Sequence, residues 1–243
     1  MDVLPVLVTI GSFKLYSYGV VFFIALFLGL YYWWKMGRDE NLEETSLFDT
    51  YFLALAGFFV GARAGYVVLN LSDFENIYRV LGFVAFPGLS FLSGGVVAIG
   101  VVILLANSYD WEIWKVLDNF AASLGIVLVF GSVASLLSRG LLIIEIMTFV
   151  WAVFYFVIIN RVRKNFRFYQ WYRNDRSVAP EGLASYLAIG FVGLWLILRG
   201  ILEDSWRFYG VSYYIVLGVV VVLGACLLIY WRSGRALLKN KER

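Results

Sequence analysis

The sequence has no histidine, one cysteine and three prolines, and only 15% of its residues are charged. Without histidine the chain lacks the usual metal ligand and the usual general base of enzymes. A single thiol cannot form an internal disulfide, and we interpret Cys226 as a small buried apolar residue of the last membrane span. Any chemistry must therefore use arginine, tyrosine, serine or acidic side chains, or a nucleophile that the substrate brings.

Apolar residues, in contrast, are abundant and make up 62% of the chain. Soluble domains contain about 25% charged residues, so this composition indicates an integral membrane protein. A helix needs about 20 mainly apolar residues to cross a bilayer. Seven segments have this length: residues 16–34, 48–71, 80–106, 117–137, 141–160, 183–202 and 211–231. We predict an all-α polytopic membrane protein that forms a single integral domain over residues 1–243.

The positive charges between these segments predict how the chain is oriented in the membrane. Loops on one side hold four lysines and arginines, whereas the loops and tail on the other side hold fourteen. Because positively charged loops stay in the cytoplasm, we expect the N-terminus outside and the C-terminus in the cytoplasm. Aromatic residues interleave with arginines in the loop 161–182, which we interpret as a membrane-surface segment and not as a nucleic-acid site.

The second predicted span contains a cation. Its sequence GFFVGARAGYVVLN, at residues 57–70, places Arg63 in an apolar segment, where a guanidinium normally has a partner or a water-filled cavity. Gly57, Gly61 and Gly65 form a face that another helix can approach closely. Arg63 lies about 160° from this face, so the arginine and the glycines are expected to contact different neighbours. Lipid phosphate is the natural anionic ligand for such an arginine.

The third predicted span is irregular, because FPGLSFLSGG at residues 86–95 interrupts it with one proline, three glycines and two serines. Broken helices at membrane depth line a cavity or are buried in protein. This interruption is therefore a candidate site, in which Gly94 and Gly95 would let a lipid approach the backbone. A re-entrant turn with only a packing role is the alternative.

A row of serines ends the fourth predicted span. Ser132, Ser135 and Ser138 follow one another at intervals of three residues, close to one helix face, and Arg139 comes next. Small hydroxyls on one face usually serve helix packing in membranes. The functional alternative is a polar wall of a cavity for a lipid headgroup.

Further charged residues lie at the predicted outer ends of the fifth and sixth spans. Glu145 begins the fifth span, close in sequence to Arg139, and Arg199 and Glu203 are four residues apart. Opposite charges at this spacing can pair on one helix face. Together with Arg63, these arginines are too many for packing alone, which favours a site that is reached from the outer leaflet.

Four stretches of the chain occur in a distinctive order: VLVTIGSFKLYSYG at residues 6–19, VGARAGYVV at 60–68, GLSFLSGG at 88–95 and LRGILEDSWR at 198–207. In this order and spacing they resemble the landmarks of bacterial prolipoprotein diacylglyceryl transferases. The resemblance implies a multi-pass enzyme of the bacterial cytoplasmic (inner) membrane. It would move diacylglycerol from phosphatidylglycerol to the lipobox cysteine of preprolipoprotein signal peptides and release glycerol 1-phosphate, without a cofactor or metal.

The resemblance also assigns residues by position. Tyr18 matches the family's early tyrosine, and Arg63 matches the arginine of its Gly-Gly-Arg motif, with Ala62 in place of a glycine. Arg199 matches the family's late arginine, and Glu203 the glutamate that follows it. The implied catalytic residues are Arg63, Arg199 and Glu203, and Tyr18 would line the substrate pocket.

The chain departs from the family pattern at two places. Ser93 stands where the family has a histidine before the paired glycines of the third span. In the fourth span the family arginine falls on Ser132 and its asparagines on Ser135 and Ser138. Arg139 is the possible replacement for that arginine, although it lies about 10 Å further along the helix.

Three hypotheses about function follow from these observations. In the first, Arg63, Arg139 and Arg199 form an electropositive pocket for the lipid phosphate, and the chain is a transferase. In the second, the fold persists without catalysis, and the protein binds anionic lipid or lipoprotein precursors. In the third, which ranks last, buried charges and a broken helix serve a small-solute transporter or channel.

Overall fold

The fold is known from a computed structural model, which describes residues 6–10, 13–71, 74, 88–140, 142–170, 182–202, 207–208 and 211–232. Side chains are described within these ranges except at 6–10, 13–15, 139, 164–170, 207–208, 211 and 232. The described helices are α1 (Ser17–Asp39), α2 (Glu44–Leu69), α3 (Phe91–Ser108), α4 (Ile113–Arg139), α5 (Ile143–Gln170), α6 (Leu183–Leu202) and α7 (Tyr213–Arg232).

Within the described ranges these seven helices are all long and apolar enough to cross a membrane. Each corresponds to one of the seven predicted spans, so the prediction of a seven-span helical membrane protein is confirmed at this level. Large apolar side chains such as Phe23, Val96, Leu104 and Leu227 are exposed on the helix surfaces. Cys226 is exposed as well, so its interpretation as a buried residue was wrong. Exposed apolar surface of this extent fits helices that face lipid.

Two short β-hairpins precede helices and were not predicted. Strand β1 (Val6–Ile10) pairs antiparallel with β2 (Phe13–Tyr16), and α1 begins at the next residue. Strands β3 (Arg207–Phe208) and β4 (Val211–Ser212) pair in the same way directly before α7. The last predicted span, at 211–231, therefore begins two residues too early, because residues 211 and 212 belong to the second hairpin.

The beginning of the third span also differs from the prediction. Residues 88–90 are not helical, but α3 starts at Phe91, and the Gly94 N–H already donates a helical hydrogen bond to the Ser90 carbonyl. The predicted interruption therefore does not include residues 91–95, which form the first turns of an intact helix. Residues 80–87 of that predicted span lie outside the described residues.

The chain divides into two compact units, which we call the small unit (Trp33–Leu117) and the large unit (Met1–Tyr32 with Asp118–Arg243). The small unit is built on α2 and α3, which pack along the predicted glycine face of α2. A Cβ atom on Gly57 would lie 3.0 Å from a methyl group of Val101, and one on Gly61 would overlap Val97. That the whole chain acts as one integral domain stays a prediction.

In the large unit the tightest packing joins α6 to α7. A Cβ on Gly193 would lie 2.9 Å from the Gly218 carbonyl oxygen, so the two backbones touch where both residues lack a side chain. Helix α5 packs on α6 through aromatic rings: Trp151 contacts Phe191 and Trp195 at centroid distances of 5.4 and 6.4 Å. These contacts fix the relative level of α5 and α6.

Buried and half-buried polar groups of the large unit hold further helices together. The Tyr155 hydroxyl donates to the Ala121 carbonyl oxygen over 2.8 Å and joins α5 to α4. Asp118 accepts hydrogen bonds from the backbone N–H groups of Gly182 and Ser185 at 2.9 and 2.8 Å. The free N–H groups at the start of α6 are thus satisfied by a carboxylate of α4.

Candidate functional site

Arg63 is a buried cation of the small unit, with 4% of its surface exposed. Its Nη1 donates a hydrogen bond to the Gly88 carbonyl oxygen over 3.1 Å, and its guanidinium carbon lies 5.1 Å from the centre of the Phe74 ring. The glycine face of α2 meets other residues, since Gly65 packs on Ser93. The arginine and the glycines therefore contact different neighbours, as the helical angle predicts.

The segment around Gly88 is fixed to α2 by more than the arginine. The Ser90 N–H donates to the Ala62 carbonyl oxygen over 2.9 Å, and Gly88 lies so close to the Tyr66 ring that a Cβ would overlap it. A glycine at 88 thus permits the approach that brings its carbonyl to Arg63. The guanidinium is thus held against a backbone carbonyl inside an apolar helix, as buried charges in membrane spans commonly are.

Ser93, Gly94 and Gly95 occupy the first turns of α3. The Ser93 hydroxyl donates to the Ser90 carbonyl oxygen over 3.0 Å. Gly94 is buried against α2, where a Cβ would lie 2.8 Å from the Phe58 carbonyl oxygen, so its close approach is to a helix. Gly95 has open space, with nothing within 4 Å of a Cβ. Of the two glycines, only Gly95 thus has enough open space for a lipid to approach its backbone. The substrate-binding role of Ser93, Gly94 and Gly95 stays a prediction.

Tyr18 lies in the first turn of α1, one residue after the point where the first hairpin joins the helix. Its side chain is 45% exposed, and its ring stacks on Phe22 with 5.9 Å between centroids. Ser17 beside it is buried. An accessible tyrosine therefore lies at the beginning of a membrane span, directly after the hairpin. That Tyr18 lines the substrate pocket stays a prediction.

The serines of α4 differ in exposure and in hydrogen-bond partner, and their role as a polar wall for a lipid headgroup stays a prediction. Ser132 is buried and donates to the Val129 carbonyl oxygen of its own helix over 2.7 Å. Ser138 is exposed. Ser135 alone reaches another helix, since its hydroxyl donates to Oε2 of Glu145 over 2.6 Å. The side chain of Arg139, the predicted substitute cation, lies outside the described residues.

Glu145 was not among the predicted site residues, although it is a buried carboxylate with 5% of its surface exposed. It lies in the first turn of α5 and meets Ser135 because the chain reverses at Gly140, whose φ of +81° is a left-handed conformation. A glycine after an apolar helix followed by an acid is the sequence signal for such a turn.

Arg199 is a half-buried cation of the large unit. Its guanidinium carbon lies 5.3 Å from the centre of the Tyr214 ring, a cation–π distance. The next residue, Gly200, lets α6 touch the start of α7, where a Cβ would lie 3.0 Å from the backbone nitrogen of Ile215. The predicted partner Glu203 lies outside the described residues, so the pairing of Arg199 with Glu203 stays a prediction.

No group of three or more histidine, cysteine, aspartate or glutamate side chains suited to a metal occurs in the described part of the chain. What the described site residues offer is positive charge and hydrogen-bond donors inside membrane-spanning helices. Such groups can bind a phosphate and stabilise negative charge that develops on it during a reaction.

Comparison with known proteins gives consistent results. Residues 5–199 match the family model for prolipoprotein diacylglyceryl transferase. Three relatives bear the name phosphatidylglycerol–prolipoprotein diacylglyceryl transferase. The protein of Campylobacter curvus (strain 525.92) is 26% identical over 149 residues, which cover 56% of this chain and 55% of that protein. The protein of Agrobacterium fabrum is 27% identical over 154 residues (56% and 52%), and that of Helicobacter pylori (strain P12) is 28% identical over 153 (56% and 54%).

The chain spans about half the length of the curated relatives that it matches. The family match is broader, since it covers more than half of this chain and includes Tyr18, Arg63, Ser93 and Arg199. On this match the chain belongs to the prolipoprotein diacylglyceryl transferase family.

Proposed function

We propose that the protein is a phosphatidylglycerol–prolipoprotein diacylglyceryl transferase. It would move the diacylglyceryl group of phosphatidylglycerol to the thiol of the lipobox cysteine in a preprolipoprotein. The observation that carries this proposal is the buried Arg63, held by the Gly88 carbonyl inside a membrane-spanning helix and within the matched region of the family. The names of the relatives support the same activity.

The reaction makes three demands on the protein. The attacking thiol must lose its proton, the phosphate must leave with its negative charge stabilised, and the two substrates must be held in line. Arg63 and Arg199 are proposed to stabilise the leaving phosphate, and Glu203 to orient Arg199. Tyr18, Ser93, Gly94, Gly95, Ser132, Ser135 and Arg139 are proposed to contact substrate.

The proposal also includes the orientation of the protein and the membrane in which it lies. The lysine and arginine distribution supports an N-terminus outside and a cytoplasmic C-terminus in the bacterial inner membrane. Reporter fusions test this: alkaline phosphatase, which is active outside, should be inactive when fused after residue 110 or residue 243 and active when fused after residue 140. The opposite pattern would reverse the proposed orientation.

A second candidate function is a family member that binds anionic lipid or lipoprotein precursors without turnover. The observation that favours it is Ser93, which replaces the family histidine and packs on Gly65. A serine in this position does not supply the base that an imidazole would.

One assay separates the two functions. The full-length protein is purified and mixed with radiolabelled phosphatidylglycerol and a lipobox peptide, and transfer of label to the peptide is measured. The transferase proposal expects labelled peptide that accumulates with time and disappears when the peptide cysteine is replaced by serine. Binding of phosphatidylglycerol vesicles without any labelled peptide would instead establish the second function.

A further inference from the structure

The proposed reaction leaves one role without a residue, namely the acceptor of the thiol proton. A free cysteine has a pKa near 8.5, so most of it is protonated at neutral pH. The sequence contains no histidine, and Ser93 occupies the place of the family histidine. The proton acceptor must be sought among the other side chains.

Glu145 is the one carboxylate that is buried among the residues that the structure describes. The other acid deep in a described helix, Asp118, already accepts two backbone N–H groups at the start of α6. It also lies 17 residues from Ser135 along α4, about 25 Å away. Glu145 is therefore the better candidate.

The packing of α5 on α6 places Glu145 at the level of Arg199. Tyr155 contacts Phe191, and Trp151 contacts both Phe191 and Trp195, so the two helices are antiparallel. From the Trp151–Trp195 contact, Glu145 lies six residues back and Arg199 four residues on. At 1.5 Å per residue these are rises of about 9 and 6 Å toward the same end, so the two residues differ by about 3 Å in depth.

Glu145 also points to the interior of the large unit. At 100° per residue it shares a helix face with Ala152 and Ile159, both of which are buried. Ser135 fixes the carboxylate from the neighbouring helix with a hydrogen bond of 2.6 Å to Oε2. The carboxylate is thus buried, oriented by Ser135 and level with a proposed phosphate-binding arginine, which makes it the candidate general base.

We propose that Glu145 accepts the proton of the substrate thiol and that Ser135 acts as its positioning residue, an inference that rests on the proposed transferase function. The thiol proton passes to the Glu145 carboxylate as sulfur attacks the terminal glyceryl carbon of the diacylglyceryl group. The bond between that carbon and the phosphate oxygen breaks, and glycerol 1-phosphate leaves with the bonding electron pair. Glu145 then returns its proton to the departing phosphate or to water.

The test compares two nucleophiles. Full-length wild type and the Glu145→Gln variant are assayed with phosphatidylglycerol vesicles and a lipobox peptide that carries either cysteine or selenocysteine. A selenol is already ionised at neutral pH, so it needs no base. We expect E145Q to lose about 10²- to 10⁴-fold in kcat/KM with the cysteine peptide and less than about tenfold with the selenocysteine peptide.

Two further variants sharpen the test. Ser135→Ala removes the positioning hydroxyl. With the cysteine peptide we expect it to lose less kcat/KM than E145Q does, and the selenocysteine peptide should again restore most of the activity. Glu112→Gln makes the same chemical change at an exposed acid that pairs with Lys115 in the small unit, and its activity should match wild type. Glutamine retains an oxygen that can accept from Ser135, and the melting temperature of E145Q shows whether the variant is folded.

The outcomes are distinct. Selective loss with the thiol supports the proposal, whereas equal losses with both peptides, or full activity of E145Q, overturn it and leave the transferase proposal standing. If wild type transfers nothing to either peptide, the transferase function fails, and the role of Glu145 fails with it.

Discussion

The side chain of Ser93 lies directly against Gly65, so that a Cβ on residue 65 would overlap both its Cβ and its hydroxyl oxygen. This contact is where α2 and α3 come together at the end of the glycine face. It places Ser93, which the family resemblance matches to a histidine, in a helix–helix contact. Ser93 is thus part of the packing of the small unit.

Gly65→Ala should destabilise the protein because the new methyl group has no room beside Ser93. Overpacking of this kind costs about 1–3 kcal/mol, and we expect a lower melting temperature in detergent. The matched control is Gly100→Ala in α3, where a Cβ would have nothing within 4 Å and the change favours the helix. A Gly65→Ala variant as stable as wild type would show that α2 and α3 do not approach this closely.

Arg63→Ala should abolish transfer, and Arg63→Lys should restore little of it, because an ammonium cannot reproduce the planar set of guanidinium donors. Loss of one charged donor to a developing anion costs about 10²- to 10³-fold in rate. Transfer of radiolabelled diacylglycerol to a lipobox peptide measures the effect. Arg38→Ala is the control, since Arg38 packs over Trp34 at the end of α1. Near-normal activity of both Arg63 variants would remove Arg63 from the mechanism.

Tyr214 should act on the reaction through Arg199. We expect Arg199→Ala to lose most activity, Tyr214→Phe to keep it, and Tyr214→Leu to lose about 2- to 30-fold, because a cation–π contact contributes about 0.5–2 kcal/mol. The neighbouring Tyr213→Leu serves as the control, since Tyr213 is exposed. The measurement is kcat/KM in the same transfer assay. Equal losses for Tyr214→Phe and Tyr214→Leu would argue against a contact through the ring.

Asp118→Ala should lower stability without a specific effect on catalysis. The substitution leaves the N–H groups of Gly182 and Ser185 without the carboxylate, which costs on the order of 1–2 kcal/mol for a helix cap. Thermal unfolding in detergent measures this loss, and Asp118→Asn, which keeps one acceptor oxygen, should lose less. The comparison variant is Asp49→Ala, at an exposed position of α2. A loss in Asp49→Ala as large as that in Asp118→Ala would contradict the capping role.

Several features of the site followed from the sequence because they depend on the chain only locally. Helical angle alone separated Arg63 from the glycine face, and the structure has Arg63 on Gly88 while Gly65 meets Ser93. The start of α3 was misjudged, since a run of glycines and serines indicates a weak helix but does not say where a helix begins. The first hairpin, which was not predicted, had a signal in the sequence: two short runs rich in apolar residues separated by Gly11 and Ser12.

The sequence by itself determined the class of this protein: seven helices for a membrane, a buried arginine, and membership of a transferase family. These features depend on composition, on local periodicity and on motif order, which can be recognised in the sequence without knowing how the helices pack. Only the tertiary structure decided that Ser135 contacts Glu145, that Gly88 contacts Arg63, and that Arg199 packs on Tyr214. Each of these pairs joins residues from separate segments, and their meeting depends on how turns and helix contacts bring those segments together.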